Sequence, residues 1–290
     1  MKKLISPIQL SLLLATVVLM SACTEEPKKT DDNEEVKEEQ VVVNDDFEEV
    51  DDVAIMLPSP IQIANIFSNA GLRYQDGLVN PPSNVDKYNT KTAKYLNFGV
   101  YSADLAYAVL NDKQQAAIEQ LNAVKTMSDA IGMSSIFGTG ELIKSFEKNI
   151  SNQDTVLYIL TEIKQRTDAY LEENAEESKD AIFFSAAWVE GMYLGANSID
   201  KKGNVTPRLI EQMTILKTII RAINAQNDPT LDITFLIDGL KEINQYFNDI
   251  AEVQKYNRGE IELEDLVLNP EELDQLKRQI TDLRTQIISG

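Results

Sequence analysis

From about residue 56 to residue 290, apolar positions recur every three or four residues, the spacing that puts them on one face of an α-helix. Ser59 followed by Pro60 reads as a helix cap with proline in the first turn, and Ile63, Ile66, Phe67 and Ala70 then mark one face. A Pro/Asn/Gly-rich loop, QDGLVNPPSNVDKYN, follows. Leu96, Gly99, Val100, Ala103, Tyr107 and Leu110 stripe the next helix, and Ile118, Leu121, Val124 and Ile131 the one after. Leu142, Phe146 and Ile150, then Val156, Ile159, Leu160 and Ile163, continue the pattern. The stretch AIFFSAAWVEGMYLGA is apolar on nearly every side, as in a helix packed on several faces. Asp228 with Pro229 predicts another helix start, leading to Leu236, Leu240, Ile243, Phe247 and Ile250. Asn269-Pro270-Glu271-Glu272 combines cap, proline and capping-box glutamate and opens a C-terminal helix over residues 270–288. In that helix Leu273, Leu276, Ile280, Leu283 and Ile287 keep heptad spacing, which suits docking on the chain's own bundle; a coiled-coil seam between chains is the alternative. Nowhere do β-branched residues alternate with polar ones over a strand's length, so residues 56–290 are predicted to be all-α.

One of these helices is written twice. IEQLNAVKTMSDAI, residues 118–131, returns as IEQMTILKTIIRAI at residues 210–223, with Ile, Glu, Gln, Lys, Thr, Ala and Ile in matching places. Upstream, Phe98, Asp104 and Tyr107 match Phe184, Glu190 and Tyr193, with a somewhat longer connection, SIDKKGNVTPR, in the second copy. A third helix follows each copy. The pattern predicts a helical bundle built from a duplicated three-helix module, about residues 90–173 and 178–256, because two amphipathic units that face one another share one core.

The N-terminus has a different character. Lys2 and Lys3 precede an apolar run over residues 4–20, shorter than the roughly 20 apolar residues of a spanning helix, and Ser21, Ala22 and Cys23 follow. Residues 1–22 therefore read as a secretory signal peptide. The stretch LMSAC resembles the lipobox of bacterial lipoproteins, with Met20 standing where that family usually has Leu or another branched aliphatic. The resemblance implies that Cys23 takes a diacylglyceryl group and becomes the new N-terminus, held in a membrane by its lipid anchor. Thr24-Glu25-Glu26 is similar to the acidic patch after the lipidated cysteine in surface-exported lipoproteins of Bacteroidota. That similarity implies an outer-membrane, surface-exposed protein. Cys23 is the chain's one cysteine, so with its thiol consumed no internal disulfide forms.

Composition then shifts. Residues 24–52 hold fourteen acidic residues against Lys28, Lys29 and Lys37, out of a chain whose net charge is −20. Such a segment buries too little apolar surface to offset its ordering entropy, so residues 23–55 read as the lipidated cysteine and an acidic, self-repelling tether. An acidic interaction tail, docking through Val41, Val42 and Val43, is the alternative. The negative charge disfavours nucleic acid and anionic membrane surfaces as partners.

The sequence offers little catalytic chemistry. The chain has no histidine, which removes imidazole metal sites, His-assisted nucleophiles and the Glu-x-x-His ligands of di-iron bundles. GTGELIK has two glycines of a phosphate loop and nothing that places it after a strand. No catalytic set, metal site or cofactor is predicted, and the protein is not expected to be an enzyme. The nearest thing to a constellation is Asp104 and Glu190, equivalent acids among apolar residues, each followed three positions on by a tyrosine, Tyr107 and Tyr193. If the two modules face each other, these carboxylates could converge, raise one another's pKa and hold a ligand or hard cation. The plainer expectation is that each acid is satisfied locally by its tyrosine, by Lys125 or Lys217, or by solvent. Trp188, Phe183 and Phe184, and the tyrosines at 88, 95, 101 and 107, are expected in the core.

The expected function is a membrane-anchored lipoprotein presenting a helical binding domain to a protein or cell-envelope partner. The alternative is capture of a small ligand or cation in the cleft between the repeats. Replacing Cys23 by Ser is expected to abolish lipid labelling and release the protein from the membrane fraction; unchanged fractionation would rule out the lipid anchor.

Overall fold

A computed structural model describes Leu57 and residues 59–198, 204–226 and 228–290; the signal peptide, Cys23 and the acidic tether lie outside the described residues. Two central helices organise the body. α2 (Lys91–Leu110) and α6 (Asp180–Asn197) pack along one another, and most residues of each are buried. Their approach is close because α2 carries Gly99 at the crossing. A Cβ at that position would lie 2.1 Å from the Phe183 backbone carbonyl oxygen and 3.2 Å from the Ala186 Cβ. Backbone cannot move aside as a flexible side chain can, so glycine sets this distance.

The remaining helices wrap this pair. α1 (Pro60–Asn69) lies on both α2 and α6 and starts at a capping box, in which Ser59 accepts from Gln62 N–H and Gln62 returns the bond to Ser59 N–H. α3 (Gln114–Ala130) packs on α2, and α7 (Val205–Thr214) and α8 (Leu216–Asn224) pack on α6. α4 (Glu141–Lys148) and α5 (Gln153–Glu173) continue the α2–α3 side, and α9 (Thr234–Asp249) with α10 (Ala251–Asn257) the other. α11 (Pro270–Ser289), opened by the capping box of Asn269 and Glu272, packs on α6, α9 and α2. Its heptad residues Leu276, Ile280, Leu283 and Ile287 are all buried within the chain. No strand occurs among the described residues, and the body is an all-α bundle.

Along the repeated helix, Gln120, Leu121, Val124 and Met127 are buried, as are their counterparts Gln212, Met213, Leu216 and Ile219. Ile118 and Ile131 are only half-buried where Ile210 and Ile223 are fully buried. α2 and α6 also end alike: Asn111 and Asn197 each donate to the carbonyl of the tyrosine four residues earlier, both at 2.9 Å. Two features differ. The second copy of the helix divides at Ile215, which with Thr214 forms a pair of β-branched residues whose restricted χ1 lowers helix preference, and α4 has no counterpart in the second half.

Two predicted boundaries move. Asp228 and Pro229 form a turn, and α9 begins at Thr234. The Asp228 carboxylate accepts from the backbone N–H and hydroxyl of Thr230 and from Lys91, with Lys179 3.8 Å away, so this turn clasps the N-terminal ends of α2 and α6. Val205, Thr206 and Pro207, expected in the connecting loop, are the first turn of α7, where a proline's missing N–H leaves no helical bond unmade.

Replacing Gly99 by Ala is expected to cost about 1–3 kcal/mol by forcing α2 and α6 apart. Urea unfolding measures it; an unchanged midpoint would show that the crossing has slack.

Candidate functional site

Asp104 and Glu190 project from the facing sides of α2 and α6, and both are 0% exposed. They meet: the Glu190 charge acts on Asp104. Burial first, and the neighbouring Glu190 charge second, push the Asp104 carboxyl well above the usual range, against smaller opposing effects from Arg284 and the Asn80 N–H. Asp104 Oδ2 accepts from the Asn80 N–H at 2.9 Å, while Oδ1 is buried and receives no hydrogen bond.

The positive charge beside these acids comes from within the chain. Arg284 of α11 forms a two-pronged ion pair with Glu190, Nε to Oε2 at 2.9 Å and Nη2 to Oε1 at 3.0 Å. Its Nη2 also donates to the Leu78 carbonyl at 3.1 Å, and its guanidinium lies 4.4 Å from the Tyr193 ring centroid. Burial alone would pull this guanidinium's pKa down; the charge of Glu190, its hydrogen bond, and Asp104 hold it up instead. Arg planarity suits such bidentate pairing, and the aromatic face adds a cation–π contact.

A second residue completes the network. Asn80, in the loop between α1 and α2, is 0% exposed and uses all of its polar atoms. Besides its N–H to Asp104, its Nδ2 donates to the Tyr88 hydroxyl at 2.8 Å and to Asn97 Oδ1 at 3.2 Å. Its Oδ1 accepts from Asn84 and its carbonyl from Gln120. Asn97 Nδ2 then donates to the carbonyls of Ala93 and Ile287, and Tyr88 donates to that of Ile288. Asp104, Glu190, Arg284, Asn80 and Asn97 thus form one buried network that ties the loop and the end of α11 to the central helix pair.

Of the four residues singled out on the sequence, three join this cluster in an unexpected way. Asp104 and Glu190 converge, and Tyr193 lies against Arg284 rather than serving Glu190. Tyr107 does not bond Asp104: its hydroxyl donates to the Arg73 carbonyl and accepts from the Gln75 N–H, and its ring stacks on Tyr74. Lys125, offered as a counter-charge, pairs instead with Asp129 on the surface of α3. Arg284 and Asn80 were the residues missed. Arg284 stands next to Leu283 in the apolar stripe of α11, a place where a charge is out of register with a solvated face, and this was the available signal.

A space of about 10 Å³ lies where α1 covers α2 and α6, beside Ile63, Phe67, Ala103, Tyr107, Ala187 and Gly191; neither Asp104 nor Glu190 lines it. A wider groove of about 80 Å³ lies elsewhere, walled by Pro60 and Ile61 of α1, Phe98 and Leu105 of α2, Leu160 and Ile163 of α5, and Phe183 and Phe184 of α6. Val124 of α3 also lines it, and Lys164 and Asp180, 3.6 Å apart, sit at its lip. Among the described residues no helix is long and apolar enough to cross a membrane, and no three acids or cysteines stand where they could hold a metal ion. No family model, curated protein or solved structure matches the chain.

The shifted acid fixes a pH dependence. A carboxyl that holds its proton more tightly in the folded than in the unfolded chain makes stability fall as pH rises from the ordinary carboxylate range towards the shifted one. Asp104→Asn keeps an acceptor for Asn80 and supplies a permanent donor to Glu190. It is expected to fold within about 1 kcal/mol of the parent near pH 5 and to gain on it towards pH 8. Glu190→Gln leaves Arg284 buried without its counter-charge and is expected to cost about 3–5 kcal/mol. Urea unfolding at both pH values reads all three proteins; parallel pH profiles for the parent and Asp104→Asn would show that Asp104 is ionised.

Proposed function

We propose that this chain is a bacterial lipoprotein, anchored through Cys23 in the outer membrane and exposed at the cell surface, that presents its helical bundle to a protein or envelope partner. The observation carrying the partner reading is the contrast between the acid pair and the groove. The acid pair that could have received a ligand or cation is buried and already paired with Arg284. The groove at α1, α2, α5 and α6 is apolar, large enough for a side chain, and open at a lip carrying one charge of each sign. A concave apolar surface with a polar rim suits an aliphatic or aromatic anchor from a partner. Capture of a small ligand between the repeats is the less favoured reading for the same reason.

The two halves are read as a duplicated pair. Support comes from the matched burial of Gln120, Leu121, Val124 and Met127 with Gln212, Met213, Leu216 and Ile219, and from the matched Asn111 and Asn197 ends. In this reading the pairing of Asp104 with Glu190 across α2 and α6 is the symmetric centre of the pair, later made asymmetric by Arg284.

Crosslinked pull-down from intact envelopes tests the partner reading. The parent protein is expected to capture a defined partner, and Leu160→Glu, which places a charge at a half-buried groove position, is expected to lose it at least about tenfold, roughly 1.4 kcal/mol. Identical capture by both proteins would rule out the groove as the partner's site.

A further inference from the structure

On the reading that the groove between α1, α2, α5 and α6 is the partner's site, we infer that the partner segment is basic: a lysine or arginine stands directly beside the apolar side chain that fills the groove, and Asp180 takes this cation. The lip is unbalanced in charge. Two carboxylates, Asp168 of α5 and Asp180 at the start of α6, share one ammonium, that of Lys164. Lys164 donates to Asp168 and comes only within 3.6 Å of Asp180, so Asp180 is the less compensated of the two acids. It is also the one that lines the groove. Burial pushes the Asp180 carboxyl up, Lys164 opposes this and Asp168 adds to it; a second cation here would offset the repulsion between the acids.

The charge lies on one side of the groove only. α1 contains no charged residue, and the wall residues of α2 and α3, such as Phe98, Ser102, Leu105 and Val124, are uncharged. An apolar side chain in the space of about 80 Å³ meets no charge there, and the α5–α6 side alone selects the residue next to it. The Asp180 side chain keeps 35% exposure, so a cation can reach it from solvent. Beside apolar walls that pair is stronger than in open water, because the local dielectric is lower. Electrostatic complementarity of this kind sets specificity and association rate. An acidic segment would add a third carboxylate to the lip. The chain's net charge of −20 likewise draws a basic segment and repels a second copy.

Short peptides blocked at both ends, in which phenylalanine is followed by lysine, glutamine or glutamate, probe the lip by NMR titration of the full chain carrying Cys23→Ser. The lysine peptide is expected to bind at least about fivefold more tightly than the glutamate peptide at low salt, with the glutamine peptide between them. High salt is expected to shrink the difference. Asp180→Asn is expected to reduce the ratio below about twofold, since it removes the acceptor of the cation. Asp168→Asn, at an exposed position, leaves Lys164 to Asp180 and is expected to reduce the ratio too, so that a folding defect at residue 180 does not decide the outcome. Ser102→Leu adds apolar bulk to the groove wall without charge and is expected to abolish binding of all three peptides. Equal binding of the lysine and glutamate peptides, no binding of any peptide, a ratio unchanged in both aspartate variants, or lysine-peptide binding that survives Ser102→Leu would overturn the inference. Groove resonances that shift with protein concentration alone would overturn it in favour of a second copy. Charge discrimination with envelope capture unchanged by Leu160→Glu removes the partner reading and leaves the groove's preference standing; capture lost in Leu160→Glu without charge discrimination removes this inference alone.

Discussion

The Glu190–Arg284 ion pair is the interaction on which the arrangement of this bundle turns. Both side chains are almost wholly removed from water, and taking two charges out of water is costly unless geometry and additional hydrogen bonds compensate. The compensation is on hand: two prongs between the pair, a backbone carbonyl from the loop and a tyrosine face. Hydrophobic burial would hold α11 to the bundle at many registers along its stripe. The ion pair and the Asn97 and Tyr88 bonds to the last carbonyls of α11 admit one. Polar groups that must all be satisfied at once favour a single packing, which is the role assigned to this network.

The same network explains why a loop rich in Asn, Pro and Gly lies in the centre of the molecule. Loops run over surfaces because their backbone groups need partners. Here Leu78, Asn80 and Pro81 find them inside, from Arg284, Asp104, Gln120 and Tyr101. The loop therefore closes the end of the α2–α6 interface around Asp104 and Glu190. The apolar groove lies elsewhere, beside α1.

How much of this was legible in the sequence follows from which signals are local. The helix faces, the caps at Ser59 and Asn269, and the core placement of Trp188, Phe183 and Phe184 are written in spacing and short motifs, and the fold carries them as read. The acids at 104 and 190 were visible because each interrupts an apolar face and the two align in the repeat. Their partner was not, because Arg284 comes from a helix 94 residues beyond Glu190 and no local pattern links them. Asn80 was hidden for a related reason: in a loop sequence, an asparagine before two prolines reads as turn chemistry, and only the tertiary fold buries it. The misplaced start of α9 has the opposite cause. Asp228 and Pro229 carry a valid start signal, which the fold spends on a turn bonded to Thr230 and Lys91. The groove could not be read at all, since its walls come from five separate helices.

The central claim is that burial and the neighbouring Glu190 charge hold the Asp104 carboxyl well above the usual carboxylate range. Carbon-13 NMR of the aspartate side-chain carboxyls, followed through a pH titration, reads this directly. The account predicts one carboxyl resonance that titrates above the range of the surface aspartates and that disappears in Asp104→Asn. A spectrum in which every aspartate titrates in the ordinary range would contradict it.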